Sequence, residues 1–511
     1  MKDSRHLEAG QRKRRGSLFM GGLSPRELYL VLSLVTLSFI LLASPRSFGT
    51  SSDPYLLGVQ AFEQGRLTEA LQLFQQAAHL HPHDARVANA LGNTWLTLNQ
   101  PSKARQEYLR AIALDPRLFA ARKNLGILEY QQGRFPMAER ELAVATQALP
   151  QDAVAWRFLG LSLEAGNRPH DALVALQKAL ALEPRKGDEE VRWALAQAFV
   201  QTQQPDQAIA TLQAGLPGAK DKAGFHNLLG WLYQQTHRSS EAEEAYRQAI
   251  LADPKRPEAY LQLSWLYAQF RHFDVGIQTL REGMRFVPDP ASLKLQLGTI
   301  MVMGGHEQES VPVLQDVIAT EPHNPAGYTT LIINYTLLSP SYDQPLQIAE
   351  QALKECPGNY LIHYLYAGLL FRQHRQDLAQ PDSAGLVRRI RAELRESIRL
   401  NSDFQHSHYD LARLDFELSN YPAAEHEALA ALRVDKDFSE ARYLLGRIYK
   451  KEGRKQEGKE QIAQVEQQHI DDIHQVELEG EALLAKQAAA TGSPVPVLSR
   501  TTGAEPGSAM K

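Results

Sequence analysis

Apolar residues recur along the chain at the spacing of helices that bury one side. In the stretch ARKNLGILEYQQGR, which begins at residue 121, Leu125 and Leu128 are three residues apart and Gly133 follows as a stop signal. The next stretch, AERELAVATQAL, places Leu142 and Ala145 in a second apolar stripe. Because residues three or four apart share one side of an α-helix, the pattern predicts two amphipathic helices joined by a short turn.

The same two-helix pattern returns every 34 residues, apart from a few insertions. One hairpin cannot bury its apolar side alone, whereas stacked copies form a continuous core. The sequence therefore predicts about twelve units. An insertion, RQDLAQPDSAGL, is expected to lengthen one turn, and its Pro, Gly and Ser content suits an exposed loop. A small residue marks the second helix of most units: Ala70, Ala104, Ala138, Ala172, Ala208, Ala242, Gly276, Ser310, Ala424 and Gly458.

This unit resembles the tetratricopeptide repeat (TPR), which has Leu-Gly in its first helix, Ala in its second and a closing Pro. The resemblance implies an all-α fold, a right-handed α-solenoid of about twelve helix-turn-helix units. It covers residues 51–472. Residues 473–489 are expected to form a capping helix with a polar side, and residues 490–511, rich in Pro, Gly, Ser and Thr, a disordered tail.

An apolar run precedes the repeats and predicts one transmembrane helix at residues 27–44. The run LYLVLSLVTLSFILLA occupies residues 28–43 and carries no charge. Between the flanking prolines lie nineteen residues. As a helix they extend roughly 28 Å, close to the ~30 Å thickness of the hydrocarbon core of a bilayer.

The charges around this run predict its orientation. Seven basic residues lie in residues 1–26, and Arg46 alone follows within about twenty residues. Since basic flanks stay on the cytoplasmic side, residues 1–26 are expected in the cytoplasm and the repeats outside it. A cleaved signal peptide, cut after Ala43 or Gly49, is the alternative.

Composition and motifs exclude several functions. Across 511 residues the net charge is -4, so the chain has no global attraction to nucleic acid. Cys356 is the only cysteine, which excludes an intrachain disulfide or a cysteine zinc site. No phosphate-binding loop, metalloprotease motif or serine-hydrolase motif occurs. We therefore predict no enzyme, no catalytic residue, no cofactor, no metal and no small-molecule substrate.

The candidate site is a peptide-binding groove lined by the first helices. TPRs that bind acidic peptide ends place Lys, Asn and Arg at inward positions of three successive first helices, and the resemblance transfers these roles in part. Two tryptophans that follow the Leu-Gly or Leu-Ser position are further candidates. The alternative is that the polar residues are solvated helix surface. The predicted groove residues are Asn89, Asn93, Lys123, Asn124, Arg157, Trp231 and Trp265.

Two function classes fit these observations. The leading hypothesis is a membrane-tethered TPR scaffold that binds a partner protein or peptide in its concave groove and supports assembly of an envelope or secretion complex. The alternative is a non-catalytic regulatory or accessory subunit of a membrane-associated enzyme.

Overall fold

The computed structural model describes residues 53–183, 189–338, 341–378 and 380–468. In these ranges the chain forms 24 α-helices and no β-strand, which confirms the predicted all-α hairpins. The helices belong to two compact units, Met1–Pro254 and Lys255–Lys511. The described parts of these units are named the first stack (α1–α12) and the second stack (α13–α24). Odd-numbered helices are the first helices of their hairpins, and even-numbered helices are the second.

The first stack contains six hairpins, with a short 3₁₀ segment at Leu216–Gly218 after α10. Its helices are α1 (Pro54–Glu63), α2 (Leu67–Leu80), α3 (Ala85–Thr97), α4 (Pro101–Leu114), α5 (Phe119–Gln131), α6 (Phe135–Ala148), α7 (Ala153–Ala165), α8 (Pro169–Leu182), α9 (Glu189–Gln201), α10 (Pro205–Gly215), α11 (Lys222–Gln235) and α12 (Ser239–Ala252).

The second stack also contains six hairpins, with a 3₁₀ segment at Pro381–Ser383 before α20. Its helices are α13 (Pro257–Gln269), α14 (Phe273–Phe286), α15 (Ala291–Met303), α16 (Glu307–Thr320), α17 (Pro325–Leu338), α18 (Asp343–Glu355), α19 (Tyr360–Gln373), α20 (Ala384–Leu400), α21 (Gln405–Glu417), α22 (Tyr421–Val434), α23 (Ser439–Lys451) and α24 (455–468).

Four of the predicted segments lie outside the described residues: the basic segment 1–26, the transmembrane helix 27–44, the capping helix 473–489 and the tail 490–511. Within the ranges that the structure describes, no helix combines the length and the apolar character needed to cross a bilayer.

The glycine of a first helix packs directly against a bulky residue of the second helix. A Cβ atom added to Gly92 would lie 2.5 Å from Tyr108 Cδ1, and one added to Gly126 would lie 2.5 Å from Leu142 Cγ. Tyr108 and Leu142 are fully buried. Real carbon atoms do not approach so closely, so the two helix axes can meet at this distance only where the side chain is absent.

In ten hairpins the described turn has one residue in the left-handed region. Gly133 has φ 70°, and Asn99, at the same place in another hairpin, has φ 56°. Glycine and asparagine tolerate this conformation better than other residues and occupy six of these ten places. The other four are held by Gln203, His237, Arg271 and Ser419. The reversal ends the first helix and starts the second after three residues.

The insertion RQDLAQPDSAGL lengthens the connection between α19 and α20, as predicted. It is not wholly an exposed loop, because Leu378 is only 3% exposed. Leu378 belongs to a core cluster with Ile390 of α20 and Tyr366 of α19. One apolar side chain therefore fixes the long connection to the hairpin.

Gly126→Leu is expected to lower the free energy of unfolding of the full chain by about 1–3 kcal/mol, because Leu142 already fills the space. Gly358→Leu is the matched control: no atom lies within 4 Å of a Cβ added there, and its φ is outside the left-handed region. Denaturant titration measures both, and equal losses in the two variants would contradict the close packing.

Candidate peptide-binding surface

The first helices form a continuous surface in each stack. In the first stack the contacts between successive first helices run from α1 to α9, and in the second stack they run from α13 to α23. No successive second helices of the described residues are as close. Helices on the inside of a curved stack are nearer to one another than those on its outside. The first helices therefore line what we name the inner face of each stack.

The small residue of each first helix determines which side chains reach this face. Gly92 and Gly126 point at the second helix. Residues three positions before and one position after them are rotated by about 60° and 100° around the helix axis. They lie on the inner face. For Gly92 these residues are Asn89 and Asn93, and for Gly126 the first of them is Lys123.

The structure brings the three predicted asparagines together. Asn124 Nδ2 in α5 donates to Asn89 Oδ1 at 3.1 Å and to Asn93 Oδ1 at 3.0 Å, both in α3. The Tyr108 hydroxyl donates to the same Asn93 Oδ1 at 2.8 Å. Asn89 and Asn124 are buried and Asn93 is half-buried. The amides thus form one network across two hairpins.

The two predicted basic residues already have carboxylate partners in neighbouring hairpins. Lys123 Nζ lies 2.6 Å from Asp152 Oδ2. Asp152 also caps α7, since its Oδ1 accepts from the backbone N–H of Ala155 at 3.0 Å. Arg157 in α7 pairs with Glu190 in α9. The side chain of Lys123 is 8% exposed and that of Arg157 is 27% exposed.

The predicted residues are therefore not a plain solvated helix surface. Asn89, Lys123 and Asn124 are buried, and their polar atoms are bonded within the chain. The two tryptophans belong to different units. Trp231 is half-buried in α11 of the first stack, and Trp265 is 40% exposed in α13 of the second.

A second set of inner-face residues was missed by the sequence reasoning. In α19, α21 and α23 the positions three before the small residue hold Tyr364, Tyr409 and Tyr443. The positions one after it in α21 and α23 hold Arg413 and Arg447. The sequence held the signal for them. The position three before the small residue, which selects Asn89 and Lys123, selects the tyrosines, and the position one after it, which selects Trp231 and Trp265, selects the arginines.

An aromatic array packs beneath these residues. The ring of Phe404 lies 5.0 Å from that of Tyr364 and stacks at 5.0 Å on His406. His406 in turn lies 5.0 Å from Phe438, which is 5.3 Å from Tyr409. Aromatic pairs at these separations stabilise each other beyond the area that they bury. The array therefore gives three successive hairpins a rigid inner face.

Charges around the array are close enough to act on the tyrosines. Burial raises the pKa of the Tyr364 hydroxyl, the Asp410 carboxylate adds to the rise, and Arg413 opposes it. Burial likewise raises the pKa of Tyr409, against the effect of Arg413 and Arg447. Both tyrosines thus stay neutral donors at neutral pH.

Sequence models of the tetratricopeptide repeat match several segments of the chain. One matches residues 61–117 and 163–232, a second matches 123–188 and 409–464, and a third matches 223–256. These segments lie in both stacks.

Curated relatives match parts of the chain at low identity. BBSome complex member BBS4 of Bos taurus is 21% identical over 261 residues, covering 49% of this chain and 50% of that protein. Protein O-mannosyl-transferase TMTC3 of Homo sapiens is 22% identical over 324 residues, covering 52% of this chain and 35% of that protein. The chain spans about a third to a half of the length of the curated relatives that it matches first. Because one relative is named as a transferase, the absence of catalysis stays a prediction.

The type IV pilus assembly protein PilF of Pseudomonas aeruginosa is 29% identical over 133 residues, covering 25% of this chain and 53% of that protein. Its solved structure has a TM-score of 0.35 and 22% identity, covering 42% of this chain and 96% of that chain. The fold assignment rests instead on the 24 helices described above and on the matched segments. The chain carries tetratricopeptide repeats, as its 34-residue period predicts.

Proposed function

We propose that the chain is a membrane-tethered TPR scaffold whose inner faces bind a partner protein or peptide, and that it supports assembly of an envelope or secretion complex. The observation that carries the proposal is the amide network of α3 and α5. The hydrogen bonds of this network hold three amide side chains in fixed positions on the inner face of the first stack.

Asn93 is the residue of this network best suited to a peptide. Its Oδ1 accepts from Tyr108 and Asn124, which fixes the side chain, whereas its Nδ2 donates to none of the described residues. An extended peptide needs a donor at a fixed place for each carbonyl group it brings out of water. Asn93 Nδ2 supplies one, with its orientation already determined.

The two basic residues contribute unequally. Lys123 is buried against Asp152, which is itself the cap of α7, so a partner carboxylate competes poorly for it. Arg157 is more exposed, and so is its partner Glu190. A guanidinium binds carboxylates through two parallel hydrogen bonds, and Arg157 can exchange Glu190 for a carboxylate of the partner.

The relatives support an assembly role by what they are named for. BBS4 is named as a member of a complex and PilF as a pilus assembly protein. TMTC3, named as a transferase, favours the alternative, in which the chain is a non-catalytic accessory subunit of a membrane-associated enzyme. Crosslinking and purification of the full chain from membranes distinguish the two. A stoichiometric enzyme partner supports the alternative, and a heterogeneous set of clients supports the scaffold.

Asn93→Asp tests the first stack. The variant keeps the Oδ1 acceptor for Tyr108 and Asn124 but replaces the free donor with an acceptor, so crosslinked capture of the partner should fall by about tenfold with the fold intact. Lys178→Ala, on the exposed side of α8, is the control and should leave capture unchanged. If Asn93→Asp captures the partner as well as the unchanged chain does, the partner does not bind at this network. The surroundings of Trp231 or Trp265 are then the candidate binding surface.

Topology is tested separately. The basic residues before the apolar run support an anchor at 27–44 with the repeats outside the cytoplasm. A reporter that is active only in the cytoplasm, fused after Lys511, is expected to be silent, and strong reporter activity would overturn the orientation.

A further inference from the structure

We propose that the inner face of the last three hairpins of the second stack binds an acidic peptide segment whose carboxylates recur at about every third residue. This surface, the arginine face, consists of Arg372, Arg413, Arg447 and Lys451 above the aromatic array. The inference rests on the proposed function and specifies the chemistry of one partner.

Two arginines of this face, Arg413 and Arg447, lie close to aromatic rings. Arg413 Cζ lies 5.0 Å from the ring centroid of Phe371 and 5.5 Å from that of Tyr409. Arg447 Cζ lies 4.6 Å from the centroid of Phe416. Stacking occupies the flat side of a guanidinium and leaves its N–H edge available for two parallel bonds to a carboxylate. Arg447 is thereby prepared for a carboxylate before one arrives, which lowers the entropic cost of binding.

The charge of the face is unbalanced. Arg372, Arg447 and Lys451 are exposed and make no ion pair with any described residue. Arg413 is bonded to Asp410 at 2.8 Å. Among the carboxylates of α19, α21 and α23, Glu440 alone lacks an ion pair within the described ranges. Three unpaired cations thus oppose one unpaired carboxylate, and a partner that brings negative charge is the complement.

The spacing of the arginines determines the spacing of the carboxylates. Arg413 and Arg447 occupy the same register position in neighbouring first helices, which are in contact. Axes of packed helices are about 8–10 Å apart. A peptide in the polyproline II conformation repeats every three residues and advances about 9 Å over them, so acidic residues at every third position point to the same side. One such carboxylate meets Arg447, and the next meets Arg413 when this arginine exchanges Asp410 for it.

The ring contacts favour a peptide over single-stranded nucleic acid. Base stacking requires open ring faces on a basic groove. Here Phe404, His406 and Phe438 cover one another, and Tyr443, at 49% exposure, is the ring of this face that is most open. The exposed Tyr443 side chain and the Arg447 guanidinium are groups of this face that remain available to a ligand.

The test uses the full chain in detergent and a labelled peptide of about twelve residues with Glu at every third position in a Gly/Ser background, followed by fluorescence anisotropy. Arg447→Gln with Lys451→Gln is expected to weaken binding at least about tenfold. Arg447→Lys keeps the positive charge but loses the paired N–H donors of the guanidinium, so it should weaken peptide binding severalfold. The control Arg433→Gln removes an exposed charge from the second helix α22 and should change nothing.

Three results would overturn the inference. A peptide with Gln in place of Glu binds equally well, the control weakens binding as much as the double variant, or a single-stranded oligothymidylate of about the same length binds more tightly than the peptide. Melting curves that match between the double variant and the control show that the fold is retained.

The outcome is separable from that of the proposed function. If the acidic peptide does not bind but capture still depends on Asn93, the arginine face is rejected and the proposed function is not. Loss of both rejects the scaffold role, and binding of the peptide without any Asn93 effect places recognition in the second stack.

Discussion

The close approach of two helices at one small residue is the constraint on which the rest of the structure depends. With Gly126 against Leu142, the first helix has a single rotation about its axis relative to the second. That rotation decides which positions are buried and which reach the inner face. The same contact therefore contributes to the core of the hairpin and orients Lys123 towards Asp152 of the neighbouring hairpin. The candidate site is a consequence of core packing, because nothing besides this rotation is needed to bring its residues to one surface.

Periodicity predicted the helical hairpins and their number because a small residue and a turn residue recur in most units. It did not predict the local departures. The Pro, Gly and Ser of RQDLAQPDSAGL report backbone preferences, and they correctly indicate a longer connection between α19 and α20. They say nothing of Leu378, whose burial depends on a gap between Tyr366 and Ile390 that only the folded hairpin creates. Composition describes the average character of a segment, whereas the packing of this segment depends on one side chain.

Register assigns the candidate residues to the first helices, but it does not predict the bonds that their side chains make. Register placed Asn89, Asn93 and Lys123 on the first helices, yet the partner of Lys123 is 29 residues away in a helix cap. An Asp before a helix is expected to cap it, and its second oxygen is free to meet a lysine only if the hairpins stack at the right offset. The residues of α19 to α23 were missed for a different reason. The binding pattern behind the predicted groove consists of Asn, Lys and Arg at inward positions of three successive first helices. Tyr409 and Arg413 occupy the same register positions but do not match that pattern.

The polar links between hairpins have a consequence for the order of the repeats. An apolar stripe fits almost any neighbour, so the cores alone would allow hairpins to be exchanged or skipped. The links are specific: Asn89 of one hairpin meets Asn124 of the next, Lys123 meets Asp152, and Arg157 meets Glu190. Removing the hairpin of α5 and α6 would bring the amides of α3 against α7, which carries Arg157 and no Asn124, and would leave Asp152 without its lysine. The repeats share a shape, yet the polar links favour one order for the hairpins that begin with α3, α5, α7 and α9.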